Sequence, residues 1–183
     1  MDAPSFILLP LILTLLFHSE TSASSINDTL HANILIKDGE LILSKGGNFA
    51  LGFFSPGSST YRYLGIWYHN KPGQTVVWVA NRNTPINGTS GILTNDGYGN
   101  LLLYRSIRNQ EIPIWSTNVS RTFPCSAQLL DSGNLVLVQQ GTRGNNTTLP
   151  VWQSFEHPTD TFLPGMKIGM NLDTGLNTFL TSW

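Results

Sequence analysis

After residue 24 the apolar positions fall in short runs broken by Gly, Pro, Asn, Asp and Ser, and no helical period is sustained. NILIK and ELILS flank Asp38-Gly39, a pair suited to the positive φ of a two-residue hairpin turn. FALGFF stops at Ser55-Pro56-Gly57, and YLGIWY and TVVWVA are separated by His69-Asn70-Lys71-Pro72-Gly73. LLLY, PIW, AQLL, NLVLV and PVW continue the series. Strands this short, at such regular spacing, predict an all-β sandwich, barrel or prism.

An internal repeat narrows the choice. Gly-Asn-apolar-x-Leu occurs at Gly47-Asn48, Gly99-Asn100 and Gly133-Asn134, and a tryptophan follows each at Val77-Trp78, Ile114-Trp115 and Val151-Trp152. Those tryptophans are 37 positions apart in both intervals. One strand-turn-strand unit repeated three times predicts three similar sheets about a pseudo-threefold axis, because a sheet of few strands cannot bury its face alone. Trp78, Trp115 and Trp152 either fill that axis or offer stacking platforms to sugars. Equal spacing and apolar neighbours favour the axis.

Composition removes other functions. Only 11% of the 183 residues are charged and the formal net charge is -1, so no basic field exists to hold nucleic acid or an anionic membrane. Phe6 to Phe17 read FILLPLILTLLF, too short for the roughly 20 residues of a membrane span. The following HSETSASS predicts a secretory leader over residues 1–23, cleaved after Ala23, although MDAPS carries no Lys or Arg. No transmembrane segment is expected after cleavage. Sequons at Asn27, Asn87, Asn118, Asn145 and Asn146 predict N-glycosylation in the same compartment. Cys125 is the only cysteine, so no intrachain disulfide forms, and it reads as a buried small hydrophobe or a capped surface thiol.

Longer strings carry a resemblance. LGFFSPG, GIWY, VVWVANRNTPI, LLDSGNLVL and VWQSFEHPTDTFLPGMKIG resemble the extracellular start of plant S-domain (G-type lectin) receptor-like serine/threonine kinases, and the repeats resemble the bulb-type (monocot mannose-binding) lectin domain. The resemblance covers about residues 24–183. It implies a β-prism of three four-stranded antiparallel sheets. It also implies a lectin domain over residues 24–155, with the start of a following S-domain segment at 156–183. Members of that family continue into a kinase, but this sequence has no GxGxxG loop after a strand, no HRD and no DFG. No enzymatic activity is expected.

The resemblance also implies a sugar motif, Gln-x-Asp-x-Asn-x-Val-x-Tyr, whose five side chains share one face of a strand. The third repeat offers Leu130, Ser132, Asn134, Val136 and Val138, and matches at Asn134 and Val136. Asp131 is one residue out of phase and is expected to face away. The second offers Asp96, Tyr98, Asn100, Leu102 and Tyr104, and matches at Asn100 and Tyr104, with a bulge at Gly97 to Gly99 able to return Asp96 to the line. The first matches only at Asn48. Each asparagine has a second reading, in which it caps a turn and touches no ligand. The candidate carbohydrate residues are therefore Asn100, Tyr104, Asn134 and Val136, in a degenerate site. The implied partners are a mannose-type glycan, or a protein partner, including self-association of a receptor.

Catalytic readings fail on residue types. Glu156 and Asp160 sit in FEHPTDTFLPG, where they are expected to cap backbone amides and not to form a hydrolytic pair. His157 lies in the same loop, and His31 and His69 are isolated. No metal site or cofactor is expected.

Overall fold

The computed structural model describes residues 28–106, 108, 112–120, 123–139 and 150–183. The leader expected over residues 1–23 and the sequons at Asn27, Asn145 and Asn146 lie outside the described residues. Two minimal strands come first, β1 (Thr29–Leu30) and β2 (Leu35–Lys37). The first repeat follows with β3 (Leu41–Leu43), β4 (Phe49–Phe54), β5 (Tyr61–Tyr68) and β6 (Val76–Val79), then a bridge at β7 (Ile86–Asn87). The second repeat is β8 (Ile92–Asn95), β9 (Leu101–Tyr104) and β10 (Trp115–Ser116). The third is β11 (Cys125–Leu129), β12 (Leu135–Gln139) and β13 (Pro150–Gln153), followed by a 3-10 turn at Ser154–Glu156 and a hairpin of β14 (Gly169–Met170) and β15 (Asn177–Thr178).

Three antiparallel sheets result, ordered β3-β4-β5-β6, β2-β8-β9-β10 and β1-β11-β12-β13, with β7 pairing only β5. The second and third repeats supply three strands each, and the fourth edge of their sheets comes from the N-terminal strands β2 and β1. Residues 29–43, through β1, β2 and β3, thus tie all three sheets into one β-prism.

The registers make the threefold relation explicit. In the first sheet Ile42 pairs Leu51, Leu51 pairs Ile66 and Ile66 pairs Trp78. In the second, Ile36, Leu93, Leu103 and Trp115 pair in turn. In the third, Leu30, Ala127, Leu137 and Trp152 do the same. Each row belongs to the one shared core cluster, with Trp115 packed against it from a half-buried position. The three indoles meet edge to face at ring-centroid distances of 5.8, 6.1 and 6.0 Å, the arrangement their quadrupoles favour.

These registers correct one part of the sequence repeat. Asn100 and Asn134 precede the third strand of their sheets, and the equivalent position in the first sheet is Tyr63, one residue before Leu64. Gly47-Asn48 instead turns β3 into β4, one strand earlier, where Ser44 N donates to Phe49 O at 2.9 Å. Both hairpins need the same turn chemistry, so the same dipeptide marks two non-equivalent corners.

The first sheet is buried on both faces, which explains why β4 reads as a continuous apolar run. Its outer face collects Ala50, Phe54, Trp67 and Val79, with Leu41, Leu43, Tyr63 and Val76 packed against them. A Cβ on Gly65 would stand 2.6 Å from the Phe54 ring and 2.7 Å from Trp78 O, so only glycine fits there. The Asp38 carboxylate of the β2–β3 turn receives the Arg62 guanidinium in an ion pair. Cys125 is buried in β11, and burial pushes its thiol pKa up, which leaves it a small apolar side chain.

Candidate functional site

Alternation decides which side chains of the central strands face outward. On β9, Leu101 and Leu103 enter the core and leave Asn100, Leu102 and Tyr104 on the outer line. On β12, Leu135 and Leu137 enter it and leave Asn134, Val136 and Val138 outside. Three of the four candidate sugar residues are nonetheless covered, with Tyr104 8%, Asn134 7% and Val136 5% exposed.

Both asparagines have their amides engaged within the chain. Asn134 Nδ2 donates to Gln153 Oε1 at 2.9 Å, and its Oδ1 accepts from Ser154 Oγ at 3.1 Å and Phe155 N at 3.2 Å. Asn100 Oδ1 accepts from Val119 N at 2.7 Å and Thr117 Oγ1 at 3.3 Å, while its Nδ2 donates to Val119 O at 3.4 Å. The hydroxyls complete the device: Leu101 N donates to Thr117 Oγ1 at 3.1 Å and Leu135 N to Ser154 Oγ at 2.9 Å. Each amide–hydroxyl pair clamps the start of a central strand to the residues just past an axial tryptophan. In the first sheet Asn81 does this alone, accepting from Leu64 N at 2.8 Å and donating to Thr84 O at 3.0 Å.

The acidic residues near the lines also turn inward. Asp96 Oδ1 accepts from Tyr98 N at 2.8 Å and Asn100 N at 2.9 Å, closing its own turn and not returning to the strand line. Asp131 accepts from Gly46 N at 2.6 Å and so joins turns of the third and first sheets. Glu156 accepts from the Gln153 side chain at 2.9 Å and Asp160 from the Thr161 hydroxyl at 3.2 Å. The backbone caps expected for these two from the sequence are therefore replaced by side-chain donors.

A second locus lies at the end of the prism where β6, β10 and β13 are the sheet edges. There the three indoles floor a cleft of about 680 Å³. The segment after the third repeat covers two of those edges. Trp78 Nε1 donates to His157 O at 2.9 Å, Thr159 Oγ1 donates to Val77 O at 3.3 Å, and the His157 ring stacks on Trp152 at 5.5 Å and 12°. Further along, Trp183 packs edge-on against Phe54 at 5.3 Å. The β10 side stays open, with Trp115 half-buried and Arg82, Asn83, Asn118 and Glu156 around the rim. Among the described residues no group of three or more His, Cys, Asp and Glu is placed to hold a metal ion.

Stacking on Trp152 partly desolvates the otherwise exposed His157 ring and lowers its pKa from 6.5, with the Glu156 carboxylate opposing in part. Because the folded value lies below the unfolded one, the unfolded chain binds the extra proton as the pH falls through 6.5. Stability is then expected to be full above that pH and to decline below it. Melting curves of the wild type between neutral and mildly acidic pH check this. His157→Gln should flatten the slope, and an unchanged slope would remove His157 from the account.

The cleft and the covered strand lines are reached from sequence with unequal ease. Arg82 carries no sequence signal of its own. Its only clue is position, four residues past an axial tryptophan, in the stretch where Ser116 to Asn118 follow Trp115 by one to three.

Residues 75–183 match the family model described as D-mannose binding lectin. The chain belongs to that family. It is 49% identical over 159 residues to the G-type lectin S-receptor-like serine/threonine-protein kinase RKS1 of Arabidopsis thaliana, covering 85% of this chain and 18% of the kinase. It is 41% identical over 182 residues to the S-locus-specific glycoprotein S6 of Brassica oleracea, covering 98% of this chain and 40% of that protein. Monomeric monocot mannose-binding lectins from Gastrodia elata superpose with a TM-score of 0.49 at 19% identity, over 69% of this chain and 96% of theirs. The chain thus spans less than half the length of these curated relatives. It carries a lectin domain related to those of plant receptor-like kinases and S-locus glycoproteins. Its 183 residues hold none of the kinase signatures sought above.

Proposed function

We propose that this chain is the carbohydrate-recognition-type module of a plant cell-surface receptor, working on the extracellular side, with degenerate mannose lines on its sheets. The observation that carries this reading is the engagement of Asn100 and Asn134, whose amides are committed to the strand clamps. No line keeps Gln and Asp beside its asparagine, and the loss of one polar partner to a sugar costs about 1–3 kcal/mol, enough to abolish a weak complex. Residues 1–23 act as the secretory leader in this reading. The exposed Asn87 and Asn118 then carry N-linked glycans.

A working mannose lectin is the second reading, and the pairing of Asn100 with Tyr104 on one line favours it. Calorimetric titration of mannose separates the two. Our reading expects no binding at millimolar sugar that Asn100→Ala or Tyr104→Ala would remove. Binding of that strength, lost in either variant, would restore the mannose lectin. A secreted decoy of the full-length receptor kinase is a further role. It requires co-purification of the two, and a receptor that never appears with the chain excludes it.

A further inference from the structure

The axial cleft has the ingredients of a ligand site that none of its structural duties use. Arg82 is half-buried on its wall and has no hydrogen-bond or ionic partner among the described residues. Neither Trp115 Nε1 nor Trp152 Nε1 has an acceptor among them, whereas Trp78 Nε1 is taken by His157 O. No buried side-chain polar atom there lacks a partner, so the two free indole N–H groups reach solvent. Glu156 supplies a carboxylate on the same rim, its Oε1 held by Gln153.

We propose that this cleft, and not the outer strand lines, is where the module takes a sugar, and that the ligand is a neutral pyranose at the end of a glycan. A pyranose ring is apolar on its C–H faces and rimmed by hydroxyls, which need donors and acceptors in alternation. The half-buried Trp115 ring meets the first requirement, since Trp78 is buried and His157 already stacks on Trp152. Arg82, the indole N–H groups and Asn83 donate, while Glu156 accepts. Bonds to charged partners are the stronger ones, so Arg82 and Glu156 set the orientation. A cleft of about 680 Å³ fits a mono- or disaccharide, within the range of small-ligand sites. An acidic sugar would profit from Arg82 but face Glu156, so neutrality follows from the pair. The exposed Asn118 stands on the rim, and a glycan attached there would reach the same mouth.

The proposal rests on the lectin reading above, and its test separates the two. Indole ¹H–¹⁵N signals of the Asn118→Gln form, beside the wild type, are followed while methyl α-mannoside, methyl β-glucoside or galacturonic acid is added. A neutral glycoside is expected to shift the Trp115 and Trp152 signals, with about tenfold weaker binding in Arg82→Ala. Glu156→Gln should weaken it as well, and Tyr104→Ala should leave it unchanged. Arg82 has no partner to lose, so that variant is expected to melt with the wild type. If neither neutral glycoside moves those signals at millimolar concentration, the cleft proposal falls while the degenerate strand lines stand. Shifts that depend on Tyr104 and not on Arg82 overturn both. Preference for galacturonic acid overturns the neutral assignment.

Discussion

Trp78→Ala is expected to lower the free energy of unfolding by about 3–5 kcal/mol, the range for deleting a large buried aromatic. Trp78 is 3% exposed and lies at 5.8 and 6.1 Å from the other two indoles, so its removal leaves a void that all three sheets border. It also strips His157 O of its donor and so loosens the strap over β6. Trp115→Ala should cost clearly less, since Trp115 is half-buried and opens onto the cleft. Denaturant unfolding of the two variants reads the difference. Equal losses would show that the axial cluster does not gain its strength from enclosure, and a negligible loss at Trp78 would remove it from the centre of the stability account.

That cluster was the most legible part of the fold, for a physical reason. A threefold axis demands equivalent side chains at equivalent depth, and three indoles at constant spacing are hard to produce otherwise. Local turn chemistry was legible too, as at Asp38-Gly39, where Gly39 has φ 95°, but the hairpin expected there does not form, because β2 pairs β8 and β3 pairs β4 in a different sheet. Pairing between distant segments was not. β1 and β2 are two and three residues long, too short to show a period, yet they close the third and second sheets. Their partners lie far along the chain, as Leu30 with Ala127 and Ile36 with Leu93, and nothing in either local stretch encodes the partner. The same limit explains the displaced first Gly-Asn: a dipeptide specifies a corner, but the sheet decides which corner it is.

The candidate sugar residues divide along that line. Alternation alone places Asn100 and Tyr104, or Asn134 and Val136, on shared outer lines. What the asparagine amides touch is settled by residues 17 to 21 positions later, in segments that return past each tryptophan. A motif reading sees the strand and not the returning segment. The cleft was harder still, because Arg82, Trp115 and Glu156 come from three different repeats.

Asn134→Ala is expected to cost about 2–4 kcal/mol, because it orphans several buried partners at once. The Ser154 hydroxyl and Phe155 N–H both lose Asn134 Oδ1 as acceptor, and Gln153 loses a donor. Ser154 is 1% exposed, so water cannot readily replace the amide, and the cost approaches the full desolvation of the groups left behind. Asn100→Ala should cost less, since its partners Thr117 and Val119 are less deeply placed, Thr117 at 9%. A double-mutant cycle of Asn134→Ala with Ser154→Ala should give a coupling energy of at least about 1 kcal/mol. If the two losses simply add, the clamp is not a unit, and the amide of Asn134 is free to be assigned to a ligand again. If they couple, a residue of the sugar motif has been kept for the strand it anchors, and its presence carries no information about what the lectin domain binds.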